Sequence, residues 1–355
     1  MTEHKTKEHR VTISDLAEAS GYSKTAVSFA FNDPTRISKR AFEIIMEAAS
    51  QIGYVPNPMA RNLSLQRHLS IGLLLPQQLD EVMLNPYIVE VLQGIGLECE
   101  RTGYALTMIP LLHGSITDAI RGAAVDGLIT LGMQAEMKAV EQIRLRKIPF
   151  VTIDGSVSPQ MPGVVIDDER AAYDQMRLVL SLGHRQIALV PMPLDLEGTS
   201  SVHRDITGMR MNGYKSALAE IGLKLDGKEI RCYPAECTRE EGIAVSRKLQ
   251  DDGFEPTVVI CMSDITAIGC MMGLRGRGLS IPDTISVVGF DGIDAGEIVE
   301  PPLTTLSQSG KQKGKAAAKL LFSLIKDNSV EDYRITIPHS IIRRGSLCKR
   351  TPNIG

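Results

Sequence analysis

Apolar and polar positions divide the chain into two parts with different periods. Across residues 11–54 the apolar positions recur every three or four residues, which is typical of amphipathic helices. From Ile71 onward, short apolar runs alternate with longer amphipathic stretches, a pattern that predicts buried parallel strands separated by helices. The predicted strands are Ile71–Leu75, Ala105–Ile109, Gly127–Leu131, Phe150–Ile153, Ile187–Val190, Val258–Met262 and Ser286–Phe290.

Capping residues mark three helices in the first part. Hydroxyl side chains that can cap a helix precede the three stretches, at Thr12, Ser23 and Ser38. Gly21 and Gly53 end the first and third helices, and Asn32-Asp33-Pro34 breaks the second, which begins at Lys24. Two short helices joined by a glycine-containing turn and packed on a third match the helix-turn-helix plan. A generic three-helix bundle has the same periodicity, so the alternative stays open at this level.

Composition and charge narrow the class of protein. The chain has 355 residues, enough for two or three domains, and no Trp, which disfavours a nucleic-acid platform of stacked aromatics. Residues 1–70 contain 9 Lys and Arg against 7 Asp and Glu, so they carry +2 of a total of −3, which leaves −5 for the rest. The polar N-terminus and the short apolar runs predict a cytoplasmic protein without a membrane partner. The six cysteines lack zinc or disulfide spacing, so we expect reduced thiols and no metal.

Polar residues follow several predicted strands, where parallel sheets bind ligands. Asp154 follows FVTI, Ser263 and Asp264 follow VVICM, and Asp291 follows VVGF. No nucleophile-base pair with a recognisable spacing and no glycine-rich phosphate loop is present in the sequence, so we expect neither an enzyme nor a bound cofactor.

Five segments in order resemble the lactose/galactose repressor (LacI/GalR-type) family of bacterial transcriptional regulators. They are residues 11–64, SLGHRQIALV (181–190), GMRMNGYKSAL (208–218), ISVVGFDG (285–292) and PPLTTLSQ (301–308). The resemblance implies an all-α helix-turn-helix head and an α/β periplasmic-binding-protein-like core of two Rossmann-like lobes. It places the head at 10–56, a hinge helix and linker at 57–69 and the core at 70–347.

Within that core, the resemblance implies two lobes between which the chain crosses three times. Lobe one is expected at about 70–165 and 309–328, and lobe two at about 166–308 and 329–347. The family acts as dimers or tetramers, and a homodimer is expected here because no leucine heptad follows Gly345.

For DNA, the resemblance points to the second helix. Its major-groove positions are Lys24, Thr25, Ser28 and Phe29, while Thr12, Ser23 and Asn32 match phosphate-contacting or purely capping residues. Phe29 departs from the family, which usually carries Arg there. It offers either apolar contact to a thymine methyl or extra core packing, and in both cases an unusual operator is expected.

The hinge segment resembles one in which paired helices push a Leu into the minor groove of operator DNA. Leu63 matches that wedge, and the other hinge residues expected near DNA are Asn57, Ala60 and Arg61. Because a short isolated helix is marginal in water, this segment is expected to order only with DNA and a dimer partner.

The resemblance also implies a ligand pocket between the lobes. The matching residues are Asn85, Tyr87, Asp154, Arg210, Ser263, Asp264, Asp291 and Gln308. Carboxylates with one Arg and amides suit a polyhydroxylated ligand, so the expected function is a repressor controlled by a sugar or sugar derivative. The alternatives are a regulator of nucleoside or purine metabolism and, from another class, a sugar-metabolising enzyme with a helical extension. The expected location is the cytoplasm, on the nucleoid when bound to double-stranded operator DNA.

Overall fold

The computed structural model of the chain describes residues 11–56, 62, 67–75, 82–135, 137–193, 204–327 and 332–350. The chain divides into two compact units between His68 and Leu69. The first is a helical head and the second an α/β core, as the change of period near residue 70 predicts.

The head consists of α1 (Ile13–Ser20), α2 (Lys24–Asn32), a 3₁₀ turn (Pro34–Arg36) and α3 (Lys39–Ile52). The predicted caps are confirmed. The Thr12 hydroxyl accepts from the Asp15 amide while the Asp15 carboxylate accepts from the Thr12 amide, which closes a capping box. The hydroxyls of Ser23 and Ser38 each accept a first-turn amide at 3.2 Å, and Gly21 and Gly53 end α1 and α3 in the left-handed conformation.

Twelve strands are described in the core. They are β1 (Ser70–Leu74), β2 (Ala105–Ile109), β3 (Gly127–Leu131), β4 (Phe150–Ile153), β5 (Gly163–Val165), β6 (Ile187–Val190), β7 (Ile230–Cys232), β8 (Val258–Cys261), β9 (Ser286–Asp291), β10 (Thr304–Ser307), β11 (Arg334–Thr336) and β12 (Ser340–Ile342). The nine core helices described are α4 (Pro86–Thr102), α5 (Ile116–Gly122), α6 (Lys138–Leu145), α7 (Asp168–Ser181), α8 (Arg204–Ala219), α9 (Arg239–Asp251), α10 (Asp264–Arg275), α11 (Ala295–Ile298) and α12 (Gly310–Asp327).

The strands form two six-stranded sheets. The first has the order β11-β5-β4-β3-β1-β2 and is parallel throughout. The second has the order β12-β10-β9-β8-β6-β7, in which only β12 runs antiparallel to its neighbour. All seven strands predicted from apolar runs are present. The five that the apolar pattern missed, β5, β7, β10, β11 and β12, have only three or four residues each.

One predicted lobe boundary is corrected. The resemblance assigned residues 329–347 to lobe two, but Arg334–Thr336 pairs in register with Gly163–Val165 and completes the first sheet. Only after this strand does the chain return to the second sheet, where Ser340–Ile342 pairs with Thr305–Ser307. The ladder hydrogen bonds of β5 would otherwise lack a partner at that edge, which explains the later crossing.

Helices α4 and α12 cross at very short distance on the first sheet. A Cβ atom added at Gly94 would lie 2.1 Å from the carbonyl oxygen of Lys311, and one added at Gly314 would lie 2.1 Å from that of Val91. Glycine at both positions therefore allows the two backbones to touch. By contrast, a Cβ at Gly96, also on α4, would meet nothing within 4 Å.

We expect Gly94→Ala to lower the free energy of unfolding of the core by about 1–3 kcal/mol, because α12 must move away from α4. Gly96→Ala is the matched control and is expected to be neutral or stabilising by up to about 1 kcal/mol, since Ala favours a helix interior. Urea unfolding of the two variants measures the difference. Equal effects would contradict the close crossing.

Candidate functional site

Helix α2 presents one polar face in the head. Val27 and Ala30 are buried on its inner side, whereas Thr25 and Asn32 are exposed and Ser28 is half-buried. The Asn32 amide donates to the Ser28 hydroxyl at 3.1 Å, which joins two members of the outer face. We define the outer row as Thr25, Ser28, Phe29 and Asn32, whose helical spacing places them opposite the buried side. Lys24 is exposed beside it, in the first turn.

Phe29 lies in this outer row and is half-buried. The described side chains that form the core of the head, or pack against it, do not include Phe29. The guanidinium carbon of Arg36 instead lies 4.5 Å from the centroid of its ring. The sequence left two roles open for Phe29, apolar contact with DNA and extra core packing. The geometry favours a surface role over core packing.

The remaining head residues have local roles. Thr12 and Ser23 cap α1 and α2, so their hydroxyls already accept backbone amides. The predicted hinge residues lie outside the described residues, and the DNA contacts expected of them stay predictions: Asn57, Ala60, Arg61 and Leu63.

In the core, polar residues gather at the carboxyl ends of strands from both sheets. Asp154 follows β4, Ser263 follows β8, Asp291 ends β9 and Gln308 follows β10. Asp154 and Asp291 have positive φ angles of 56° and 146°. Such backbone conformations are costly for residues other than glycine and cluster at ligand sites, where the surrounding structure enforces them.

A chain of hydrogen bonds, which we call the cleft network, connects these residues. The Tyr87 hydroxyl donates to one Asp154 oxygen at 2.7 Å and the Lys313 ammonium donates to the other at 2.6 Å. Lys313 also donates to the Gln308 amide oxygen at 2.6 Å, and the Gln308 amide nitrogen donates to Asp291 at 2.5 Å. The network therefore links the first sheet to the second through side chains alone.

The second carboxylate oxygen of Asp291 accepts two hydrogen bonds from groups of lobe two. The Ser263 hydroxyl and the Asp264 amide both donate to it at 3.1 Å. Arg210, on α8, is also buried, with its guanidinium 3.6 Å from the centroid of the Phe290 ring.

The guanidinium of Arg210 is bound within its own lobe. Its Nε donates to Asp168 at 2.8 Å and one terminal nitrogen donates to the Met262 carbonyl at 2.9 Å. Stacking and hydrogen bonding together fix its orientation toward the cleft network.

For Asp264 the geometry favours a structural role over the predicted ligand contact. It is fully buried, and its oxygens accept from the Gly292 and Ile293 amides at 2.8 and 2.9 Å and from the Thr305 hydroxyl at 2.5 Å. These bonds hold the turn after β9. Gly292 in that turn has a φ of 81°, and a Cβ there would lie 2.5 Å from the side chain of Ser307.

Asn85 and Tyr87 sit at the start of α4. The Asn85 side chain accepts the Tyr87 amide at 3.1 Å and so caps the helix. The Tyr87 ring is buried, and a Cβ at Gly310 would lie 3.0 Å from it. Asn85 therefore has a capping role, whereas the Tyr87 hydroxyl joins the cleft network through Asp154.

The carboxyl groups of the cleft repel one another in a dry setting. Burial, reinforced by the charge of Asp291, raises the pKa of Asp264 to about 7. Burial also raises the pKa of Asp291 to about 6, although the charge of Arg210 opposes this. Burial raises the pKa of Asp168 despite its pairing with Arg210, and raises that of Tyr87 well above its usual value, with Asp154 adding to the effect.

Three residues of this region were missed from the sequence. Lys313 is completely buried but lies in a lysine-rich stretch, Gly310–Lys319, that gives no local sign of which lysine points inward. Asp168 stands in an acidic first turn, where helix capping explains it equally well. Glu90, on α4, accepts the Asp294 backbone amide and so contacts the other lobe. Only the assembled fold reveals these contacts.

We expect Glu90→Gln to flatten the pH dependence of core stability. Burial, with the charge of Asp294, raises the pKa of Glu90 to about 7. The folded core therefore binds this proton more tightly than the unfolded chain, and the stabilisation is lost as pH rises from about 4.5 through about 7. Between about pH 5 and about pH 8 the unmodified chain should lose about 1 kcal/mol more than the variant, allowing for screening of a half-exposed group.

Urea unfolding at both pH values measures this loss. Glu100→Gln, an exposed carboxylate on the same helix, is the control and should leave the pH profile unchanged. Parallel profiles for the Glu90 variant and the unmodified chain would refute the assignment.

No helix in the described part of the chain is long and apolar enough to cross a membrane. Among the same residues, no group of three or more His, Cys, Asp or Glu is placed to hold a metal ion.

Family comparisons match both units. Residues 12–57 match the family described as bacterial regulatory proteins, lacI family, and residues 176–347 match the periplasmic binding protein-like domain. The HTH-type transcriptional repressor CytR of Escherichia coli (strain K12) is 28% identical over 349 residues, which cover 96% of this chain and 98% of that protein.

Solved structures agree on the fold. The Lac repressor dimer bound to operator and the anti-inducer ONPF has a TM-score of 0.80 at 23% identity, covering 96% of this chain and all of that one. A LacI family transcriptional regulator from Enterococcus faecium with bound ribose has a TM-score of 0.68 at 26% identity, covering 79% of this chain and all of that one. The expected architecture, a helical head and two α/β lobes, is confirmed, and the chain combines a lacI-family helix-turn-helix region at 12–57 with a periplasmic binding protein-like domain that matches 176–347.

Proposed function

We propose that this chain is a sequence-specific DNA-binding transcriptional repressor whose operator affinity is set by a small polar effector in the interlobe cleft. One observation carries the proposal: a three-helix head, in which α2 carries the outer row, is joined to a core whose buried polar network connects the two sheets. The first suits a DNA groove and the second a small ligand. The relatives named above include the transcriptional repressor CytR and a Lac repressor dimer bound to operator and an anti-inducer.

On the DNA side, the outer row and Lys24 supply the contacts. Lys24 donates to phosphate or to guanine edges, and Thr25 and Ser28 hydroxyls serve either backbone or base. We propose that two copies bind as a homodimer, each with one head on a half-site. Leu63 in the 57–69 segment is proposed to enter the minor groove at the operator centre.

On the effector side, charge selects the ligand class. Apart from Asp264, which holds a turn, the described polar residues of the cleft include three carboxylates (Asp154, Asp168 and Asp291) and two cations (Arg210 and Lys313). Carboxylates outnumber cations, and burial already raises the pKa of Asp291 to about 6, so a neutral, donor-rich ligand fits better than an anionic one. We therefore propose a neutral sugar rather than a sugar phosphate. The Enterococcus faecium relative with bound ribose is consistent with this class.

The proposed mechanism has two states. An effector replaces part of the cleft network with its own hydroxyls and so changes the contacts that hold the lobes. Residues 57–69 join the core to the head and are proposed to transmit the change. A useful switch requires the effector to bind one state more tightly than the other by a few kcal/mol. Regulation rather than catalysis is proposed for the cleft, and the site of action is the cytoplasm, on nucleoid DNA.

We expect the full chain to select a specific duplex from a library of randomised double-stranded DNA, with affinity that falls steeply as salt rises. If Lys24 contacts a phosphate, Lys24→Ala should reduce the slope of log affinity against log salt concentration by about one. If it contacts a base, the substitution should lower the preference for that base by about 1–3 kcal/mol. Lys224→Ala removes an exposed lysine of the core and is the matched control. A chain that selects no sequence at any salt concentration would rule out the regulator.

We expect at least one neutral sugar to raise the thermal unfolding midpoint of the core. At a concentration about one hundred times its Kd, the sugar should add about 2.7 kcal/mol to the free energy of unfolding. The screen includes sugars, sugar phosphates and nucleosides. Asp291→Asn should abolish the shift while leaving operator affinity intact, because Asp291 receives three donors of the cleft. Asp226→Asn, an exposed carboxylate of the same lobe, serves as control. Preferential stabilisation by a nucleoside or phosphate, or ligand turnover, would overturn the effector class.

A further inference from the structure

Arg36 occupies a defined position beside the outer row of the head. It is the last residue of the 3₁₀ turn that follows α2, and its side chain is exposed. Its guanidinium carbon lies 4.5 Å from the centroid of the Phe29 ring, within the distance of a cation–π contact. Because Phe29 belongs to the outer row, the guanidinium lies over the same face as Thr25 and Ser28.

The turn that carries Arg36 is fixed by several independent constraints. The Arg36 amide donates to the Asp33 carbonyl at 3.1 Å, and the Thr35 hydroxyl donates to the Asp33 carboxylate at 2.5 Å. Pro34 at the first position of the turn restricts its backbone. Ile37, the next residue after Arg36, packs against the head core. The Cα of Arg36 therefore has little freedom relative to α2.

The guanidinium keeps its hydrogen-bonding capacity. Within the described part of the chain, Arg36 forms no side-chain hydrogen bond and no ion pair, so its stacking contact with Phe29 is the interaction that holds it. A guanidinium that lies with its face on an aromatic ring keeps its N–H donors free in its own plane. A planar fork of donors held in this way matches the O6 and N7 acceptors of guanine.

We infer that Arg36 is a specificity-determining residue that reads a guanine in each operator half-site, with Phe29 as the ring that positions it. This inference rests on the proposed DNA-binding function and names a reader outside α2. It also gives Phe29 a defined role. The cationic reader that the family resemblance would place at position 29 is supplied from position 36, and the aromatic ring orients it.

The stacking contact matters because an exposed arginine has many rotamers. Binding a base edge freezes those rotamers, and a guanidinium already held over a ring loses less freedom when it does so. Phe29 is thus a positioning residue, and its replacement should weaken the same base preference that Arg36 creates. An aliphatic residue of similar bulk, such as Leu, keeps the apolar surface but removes the π face.

The test compares full-length variants against a library of randomised double-stranded DNA, with salt titration on the selected duplex. Arg36→Lys retains the charge but lacks the bidentate fork, so preference for guanine at one position per half-site should fall about tenfold to hundredfold. The salt slope should stay unchanged. Phe29→Leu should reduce the same preference by a smaller factor, and the double variant should be no worse than Arg36→Lys alone.

Arg40→Lys, an exposed arginine in the first turn of α3, is the matched control and should leave every base preference intact. Uniform weakening of all sequences by Arg36→Ala, with full rescue by Arg36→Lys and a salt slope lower by about one, would mean a phosphate contact and overturn the inference. Additive effects of the two substitutions would overturn the positioning role of Phe29. Selection of no sequence by the unmodified chain would instead remove the proposed function itself.

Discussion

The hydrogen bonds from Asp154 through Lys313 and Gln308 to Asp291 are the interaction on which the core depends. A buried charge that lost its partner would destabilise the fold by several kcal/mol, so each member must keep the others in place. These bonds join residues at the carboxyl ends of two sheets that otherwise have separate strand ladders. These polar contacts add to apolar packing that also joins the two sheets, and a ligand that competes for them acts on the relative position of the lobes.

The same contacts explain the unusual backbone at this edge of the sheets. Asp154 and Asp291 both adopt positive φ angles, which an isolated peptide would avoid. Lys313 and Gln308 hold the two carboxylates from outside their own loops. Strain, burial and the repulsion between Asp264 and Asp291 all raise the energy of this edge of the sheets. Hydroxyl donors from an effector can relieve part of that cost, which gives the effector a physical reason to bind.

The head is stabilised in a different way from the core. Its core is small, and capping hydroxyls and two left-handed glycines define where the helices begin and end. The outer row of α2 therefore does not contribute to the core of the head. The contact between Phe29 and Arg36 shows how the chemistry of this surface can change without a change of fold. The turn after α2 places the cationic side chain of Arg36 over the aromatic ring of Phe29.

The sequence by itself determined the helix boundaries of the head, seven core strands and the polar strand ends, because capping, apolar runs and glycine turns are local chemistry. Family resemblance added the architecture and most of the cleft residues. Only the tertiary structure placed Lys313, Glu90 and Arg36, and only it assigned β11 to the first sheet and Asp264 to a turn. Their partners lie far away in the chain or across a turn, and no local pattern records which of several similar side chains faces inward. Burial and pairing decide that only after the sheets, helices and turns have assembled.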